Sequence, residues 1–215
     1  MTAKNIGVLV SGGGTNLQSI IDQIHLGSCN AKITCVISNK AEVYALTRAQ
    51  NANIPTSVID HTQYDHRTDF EKILLEELNH HSVEILVLAG FMRVLSETFT
   101  DNFKGNSLNI HPSLLPDFPG LHTHQRALDA KVNQHGCSVH FVTGELDGGP
   151  VILQASVPVY RKDDAHSLAA RVLEKEHIIY PRCIEWLCTQ KISLQNGHAY
   201  YKDALLKKPL QLDQL

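Results

Sequence analysis

Ile6-Gly7-Val8-Leu9-Val10, running straight into Ser11-Gly12-Gly13-Gly14-Thr15-Asn16, decides the fold. The apolar run is a short strand, and Leu17, Ile20, Ile21 and Ile24 recur at helical spacing directly after it. The alternation then repeats. Ile33-Thr34-Cys35-Val36-Ile37 predicts a second strand, Ala41 to Ala52 a helix, and Thr56-Ser57-Val58-Ile59 a third strand. Asp65 to His80 is expected to be a helix with Phe70, Ile73, Leu74 and Leu78 as its apolar stripe. Ile85-Leu86-Val87-Leu88-Ala89 is apolar throughout, as suits a parallel strand buried on both faces. A helix over Ser96 to Phe103 leads to Ser107-Leu108-Asn109-Ile110. Strand and helix in alternation predict an α/β, Rossmann-like doubly wound, mostly parallel sheet. Such sheets collect ligands at the carboxyl ends of their strands, where the Gly12 loop, Gly90-Phe91-Met92-Arg93 and His111 all fall.

The second half changes rhythm. Val139 to Val142 and Val151 to Val159 predict successive strands, so the C-terminal part of the sheet is expected to be antiparallel. Ala165 to Leu187 predicts a long helix kinked at Pro181, and Ile192 to Tyr201 a closing hairpin turned at Asn196-Gly197. One domain over residues 1–201 is expected, with a polar tail over 202–215.

Composition narrows the function classes. With 43% hydrophobic residues in 215, the chain has ample material for a core. Net charge is −3 and no block of Lys and Arg occurs, which disfavours nucleic acid and a polybasic membrane contact. No stretch of about 18 apolar residues is present to span a membrane, and Met1 to Asn5 lack a signal-peptide layout. Cys29, Cys35, Cys137, Cys183 and Cys188 are scattered without a Cys-x-x-Cys pair, the pattern of buried, reduced thiols. A cytoplasmic location is expected.

The Ser11 to Asn16 loop joins a strand to a helix, so its amides and the helix dipole form a natural phosphate cradle. No Gly-Lys-Ser/Thr follows, which excludes a nucleoside triphosphate loop. Leu17 stands at the third glycine position, and Ser38-Asn39-Lys40 replaces the acidic end of a dinucleotide site. Asn109-Ile110-His111-Pro112-Ser113-Leu114-Leu115-Pro116 supplies an amide and an imidazole two residues apart, which share one side of an extended segment. In a chain with 13 histidines, His111 alone would be a structural residue. Leu146-Asp147-Gly148-Gly149-Pro150 adds a carboxylate that could pair with it, orient the ring and favour the imidazolium form. Asn109 can then donate to an oxyanion forming at a carbonyl carbon, the parts needed for acyl-group transfer. His122, His124, His135 and His140 do not form a ligand-spaced set, and no metal is expected. Ser113 lacks the Gly-x-Ser-x-Gly elbow of serine hydrolases. Glu176 would ordinarily belong to a solvated helix face, though it could hold a substrate amine.

From about Ile6 to about Tyr201 the chain resembles the folate-dependent phosphoribosylglycinamide formyltransferases. The residues that carry the resemblance are Ser11 to Leu17, Ala89-Gly90-Phe91-Met92-Arg93, Asn109 to Pro116, Pro119-Gly120-Leu121-His122, Glu145 to Pro150 and Glu176-His177-x-x-Tyr180-Pro181. The resemblance implies the formyltransferase fold. It also implies transfer of a formyl group from 10-formyltetrahydrofolate, as co-substrate, to the amine of 5′-phosphoribosylglycinamide in purine synthesis. Asn109, His111 and Asp147 would be catalytic, Gly14, Thr15 and Asn16 would hold the phosphate, and Glu176 the glycinamide end. Arg67, Met92, Arg93, Val94, Leu95 and the loop Thr143, Gly144, Glu145, Leu146, Asp147, together with Asn109, would line the folate site. The implied partners are these small molecules, with a monomer or weak homodimer as the assembly. A formyltetrahydrofolate hydrolase, a transfer-RNA formylating enzyme and a non-catalytic sugar-phosphate-binding module are the competing expectations. The first would need no phosphate cradle, the second lacks a basic extension here, and the third leaves Asn109, His111 and Asp147 without a reason.

Overall fold

β4, Ile85–Leu88, is buried at every position and pairs in parallel with the first strand of the chain. In this computed structural model, which describes residues 3–27 and 30–215, the chain divides into two compact units. One ends at Leu108 and the other runs from Asn109 to Leu215.

In the first unit, β1 (Lys4–Val10) pairs in parallel with β4 on one side and with β2 (Ala31–Ser38) on the other. β3 (Thr56–Val58) extends β2 in the same direction, giving the order β4-β1-β2-β3. Parallel neighbours need crossovers, and helices supply them. α1 (Thr15–His25) buries Leu17, Ile20 and Ile21, while α2 (Tyr44–Asn51) buries Ala45, Leu46 and Ala49. Each fully buried Ile or Leu stabilises the unit by about 1.5–3 kcal/mol relative to exposure.

α3 (Arg67–His80) departs from the expected stripe. Phe70, Leu74 and Leu78 are buried, but Ile73 is 37% exposed and Glu71 is buried in its place. α3 also approaches β1 closely: a Cβ on Gly7 would lie 2.9 Å from Leu78 Cδ2 and from Val83 Cγ2. α4 (Glu97–Thr100) is one turn long and continues as a 3-10 turn over Asp101–Phe103; Ser96 caps it. β5 (Ser107–His111) contains the boundary between the units.

The second unit holds α5 (Thr123–Asp129) and the antiparallel pair β6 (Gln134–Phe141) and β7 (Val151–Pro158). β6 begins earlier than expected from the sequence, at Gln134. The pairing slips between Val139 and His140, so Ile152 is an extra residue on β7. α6 (Ala165–Cys188) starts in a capping box made by Asp164 and Ser167, and it continues unbroken through Pro181. β8 (Ile192–Gln195) and β9 (His198–Tyr201) form the expected hairpin. Positive φ at Asn196 (49°) and Gly197 (77°) marks the turn type that suits strand twist.

The last residues are structured. β10 (Ala204–Leu205) joins β9, and β11 (Leu210–Gln211) pairs in parallel with β7. The α/β class, mostly parallel with an antiparallel C-terminal pair, is as the sequence predicts.

A buried polar chain ties the end of the molecule to the loop that follows β5. Gln211 Nε2 donates to Gln154 Oε1 (3.3 Å), and Gln154 Nε2 donates to Ser138 Oγ (2.9 Å) and the Leu115 carbonyl (2.8 Å). Ser138 Oγ donates to the Ser113 carbonyl (2.7 Å) and accepts from the Leu115 amide (3.0 Å), which satisfies the hydroxyl.

Candidate active site

Two groups of predicted residues sit on the first unit. At the end of β1, the Ser11 hydroxyl donates to Asn39 Oδ1 (2.5 Å) and accepts from the Met92 amide (2.8 Å). It therefore joins the loop after β1 to those after β2 and β4. Gly14 then turns the chain into α1 with φ +71°, a left-handed conformation that a side chain would strain. The first helical hydrogen bond runs from the Gln18 amide to the Gly14 carbonyl (2.9 Å), leaving the earlier amides of Thr15, Asn16 and Leu17 for other acceptors. A Cβ built on Gly12 or Gly13 meets nothing within 4 Å, so the face over the loop is open.

The second group is Arg67 with Met92, Arg93, Val94 and Leu95. Leu95 is buried, whereas Met92 and Val94 are exposed, as are the side chain of Arg67 and Arg93. Buried Glu71 organises this surface. One of its oxygens accepts from the Ser96 amide (2.7 Å) and lies 3.7 Å from Arg67 Nε, and the other accepts from the Ser96 hydroxyl. Sequence patterning missed Glu71 because a carboxylate at a helix position normally faces solvent.

The second unit brings Asn109, His111 and Asp147 together. β5 presents Asn109 half-buried and His111 buried, and Asp147 lies in the turn between β6 and β7. His111 Nδ1 is 3.4 Å from Asp147 Oδ2, and His111 Nε2 donates to the Phe118 carbonyl (3.0 Å). Both ring nitrogens thus face acceptors, an arrangement that a doubly protonated ring satisfies in full. Asp147 Oδ2 also accepts from the Gly120 amide (2.8 Å), which fixes the carboxylate. The turn itself is tight: a Cβ on Gly149 would come within 1.8 Å of the Phe141 carbonyl oxygen.

His140 is the residue the sequence did not place. Its Nε2 lies 3.0 Å from Asn109 Nδ2 and 3.9 Å from Asp147 Oδ1, and its Nδ1 lies 2.9 Å from the Phe141 carbonyl. Burial pushes its pKa below the ordinary imidazole value, against the opposing pull of the Phe141 carbonyl and Asp147. A neutral ring with its proton on Nδ1 accepts from the Asn109 amide. The slip in the β6–β7 pairing at His140 is the local irregularity that accompanies this placement.

Thr143, Gly144, Glu145 and Leu146 form the approach to Asp147, with Leu146 exposed. Glu176 is buried on α6, not on a solvated face, close enough to Cys137 to raise that thiol's pKa further after burial itself. His124 and His135 pair edge to face with ring nitrogens 3.2 Å apart, and burial drives the pKa of His135 down to about 4. Among the described residues no group of three or more His, Cys, Asp or Glu is arranged to hold a metal ion. Cys35, Cys137 and Cys183 are buried free thiols and Cys188 is also buried, while Cys29 lies outside the described residues. No described helix is long and apolar enough to cross a membrane.

Known proteins are similar to this chain in sequence and architecture. A family model described as formyl transferase matches residues 4–184. The phosphoribosylglycinamide formyltransferase of Haemophilus influenzae is 45% identical over 205 residues, spanning 95% of this chain and 97% of its own. That of Escherichia coli is 46% identical over 196 residues, spanning 91% and 92%. The solved structure of the phosphoribosylglycinamide formyltransferase from Coxiella burnetii superposes with a TM-score of 0.93 at 44% identity, over 97% of this chain and 99% of that one.

Proposed function

Since the chain belongs to the formyl transferase family, we propose that it transfers the formyl group of 10-formyltetrahydrofolate to the amine of 5′-phosphoribosylglycinamide, a step of purine synthesis. The observation that carries the chemistry is His111, 3.4 Å from Asp147 on one nitrogen and hydrogen-bonded to Phe118 on the other, beside an amide oriented by His140. The folate supplies an electrophilic formyl carbon. The acceptor amine adds to that carbon, the bond from the carbon to the folate nitrogen breaks, and one proton passes from the amine to that nitrogen. Asn109 carries a second N–H besides the one directed at His140, and it donates to the oxyanion developing at the carbon. His111 in its protonated form adds charge beside the same oxygen, gives its proton to the folate nitrogen and regains one from the amine, while Asp147 orients the ring.

For the acceptor, Gly14, Thr15 and Asn16 bind the phosphate and Glu176 the glycinamide end. Arg67, Met92, Arg93, Val94, Leu95 and the segment from Thr143 to Asp147 receive the folate. The protein works in the cytoplasm, without a metal, as a monomer or weak homodimer.

Incubating the protein with 10-formyltetrahydrofolate, with and without phosphoribosylglycinamide, and following folate absorbance tests the proposal. Turnover that requires the amine is the expected result. Amine-independent turnover would make the protein a hydrolase, and no turnover would leave a binding module.

A further inference from the structure

α2 stands behind the glycine loop and holds two of its carbonyls. The Ala45 amide donates to the Gly12 carbonyl (3.1 Å), and Arg48 Nε donates to the Gly13 carbonyl (2.9 Å). The Arg48 guanidinium is itself fixed: Nη1 donates to Gln18 Oε1 (3.2 Å) on α1, and the group stacks 4.7 Å from the centre of the Tyr44 ring. Contact between loop and helix is as close as the backbone allows, since a Cβ on Gly14 would fall 2.6 Å from Ala45 Cβ.

In a planar trans peptide the C=O and N–H point in opposite directions. Turning the Gly12 and Gly13 carbonyls toward α2 therefore turns the Gly13 and Gly14 amides away from it. Those are the two amides that lead into the first turn of α1.

We propose that Arg48 is a positioning residue for the acceptor phosphate: by holding the Gly13 carbonyl it aims the Gly14 amide outward and sets the loop for a phosphate group. This rests on the phosphate assignment made for Gly14 to Asn16. Arg48 reaches the loop through its side chain from a helix about 35 positions along the chain, so no local motif announces it.

The test compares Arg48→Met and Arg48→Lys with the wild type, measuring KM for both substrates, kcat and the Ki of inorganic phosphate competing with the acceptor. Arg48→Met is expected to raise the acceptor KM and the phosphate Ki together by about tenfold, the equivalent of one lost hydrogen bond. Saturating kcat, the folate KM and the thermal midpoint stay near wild type. Arg48→Lys keeps a positive charge but cannot bridge Gly13 and Gln18, and it is expected to retain most of the defect. Unchanged acceptor KM and phosphate Ki in Arg48→Met, or full recovery in Arg48→Lys, overturns the role of Arg48. Failure of phosphate to compete in the wild type overturns instead the phosphate assignment on which it rests.

Discussion

Asn109 and His140 meet side chain to side chain, with Nδ2 and Nε2 3.0 Å apart. The other nitrogen of His140 faces a carbonyl acceptor at 2.9 Å, and burial keeps the ring neutral, so the bond has one direction: Asn109 donates. An amide side chain has two nearly isosteric orientations, and His140 selects the one with nitrogen toward β6. His140→Ala is expected to lower kcat by about tenfold, the scale of one hydrogen bond, with both KM values within about threefold. Wild-type kcat in a variant with an intact thermal transition would contradict this.

His111 Nδ1 and Asp147 Oδ2 lie 3.4 Å apart, and the proposed chemistry uses them as a unit. His111→Ala and Asp147→Asn are each expected to lower kcat by roughly 10²–10⁴, while leaving the thermal midpoint within a few degrees. Steady-state kinetics alongside calorimetry checks both halves. Near-normal turnover in either variant removes the mechanism, and loss of folding in both makes the pair structural.

Acid should destabilise the fold through its buried histidines. His135 titrates near 4 when folded, whereas an unfolded imidazole titrates near 6.5. Between those values the unfolded chain binds a proton that the folded one does not, so stability is full above about 6.5 and is lost as pH falls toward 4. His124 and His140 are shifted in the same direction. Chemical denaturation at pH 7.5, 6 and 4.5 should show a falling midpoint, with a shallower fall in His135→Asn. Parallel curves for the two proteins would show that His135 does not contribute.

The buried thiols should be inert. Burial, with Glu77 adding to it, raises Cys35 to about 12, and burial also raises Cys137 and Cys183. In a Cys29→Ser variant, a thiol reagent at pH 8 is expected to label none of Cys35, Cys137, Cys183 or Cys188 within minutes, and all of them after denaturation. Fast labelling of the native protein would mean that the core around them opens readily.

Much of the fold was legible because its strands are short apolar runs separated by glycine-rich turns, and Ile85 to Leu88 could be little else. Ile73 and Glu71 exchanged their expected environments because Glu71 finds Ser96, a partner 25 positions away that periodicity cannot see. The first half of β6 was overlooked for a similar reason. Ser138 is fully buried, but its partners Gln154, Ser113 and Leu115 lie elsewhere in the chain. At the candidate site, Asn109, His111 and Asp147 were visible from residue type and turn chemistry. His140 was not, since its service to Asn109 spans 31 positions and leaves no spacing to recognise.

β11 lies along β7, which is already paired with β6 on its other side. A strand open on one side is a template for another chain, and β7 carries Ile152, Leu153, Ala155 and Val157 with almost no accessible surface. Residues 206–215 therefore act as a sheath. A chain shortened to end at Leu205 would keep every group assigned to the chemistry, yet it is expected to self-associate. Light scattering that rises with protein concentration in the shortened chain, and stays flat in the full one, would reveal it.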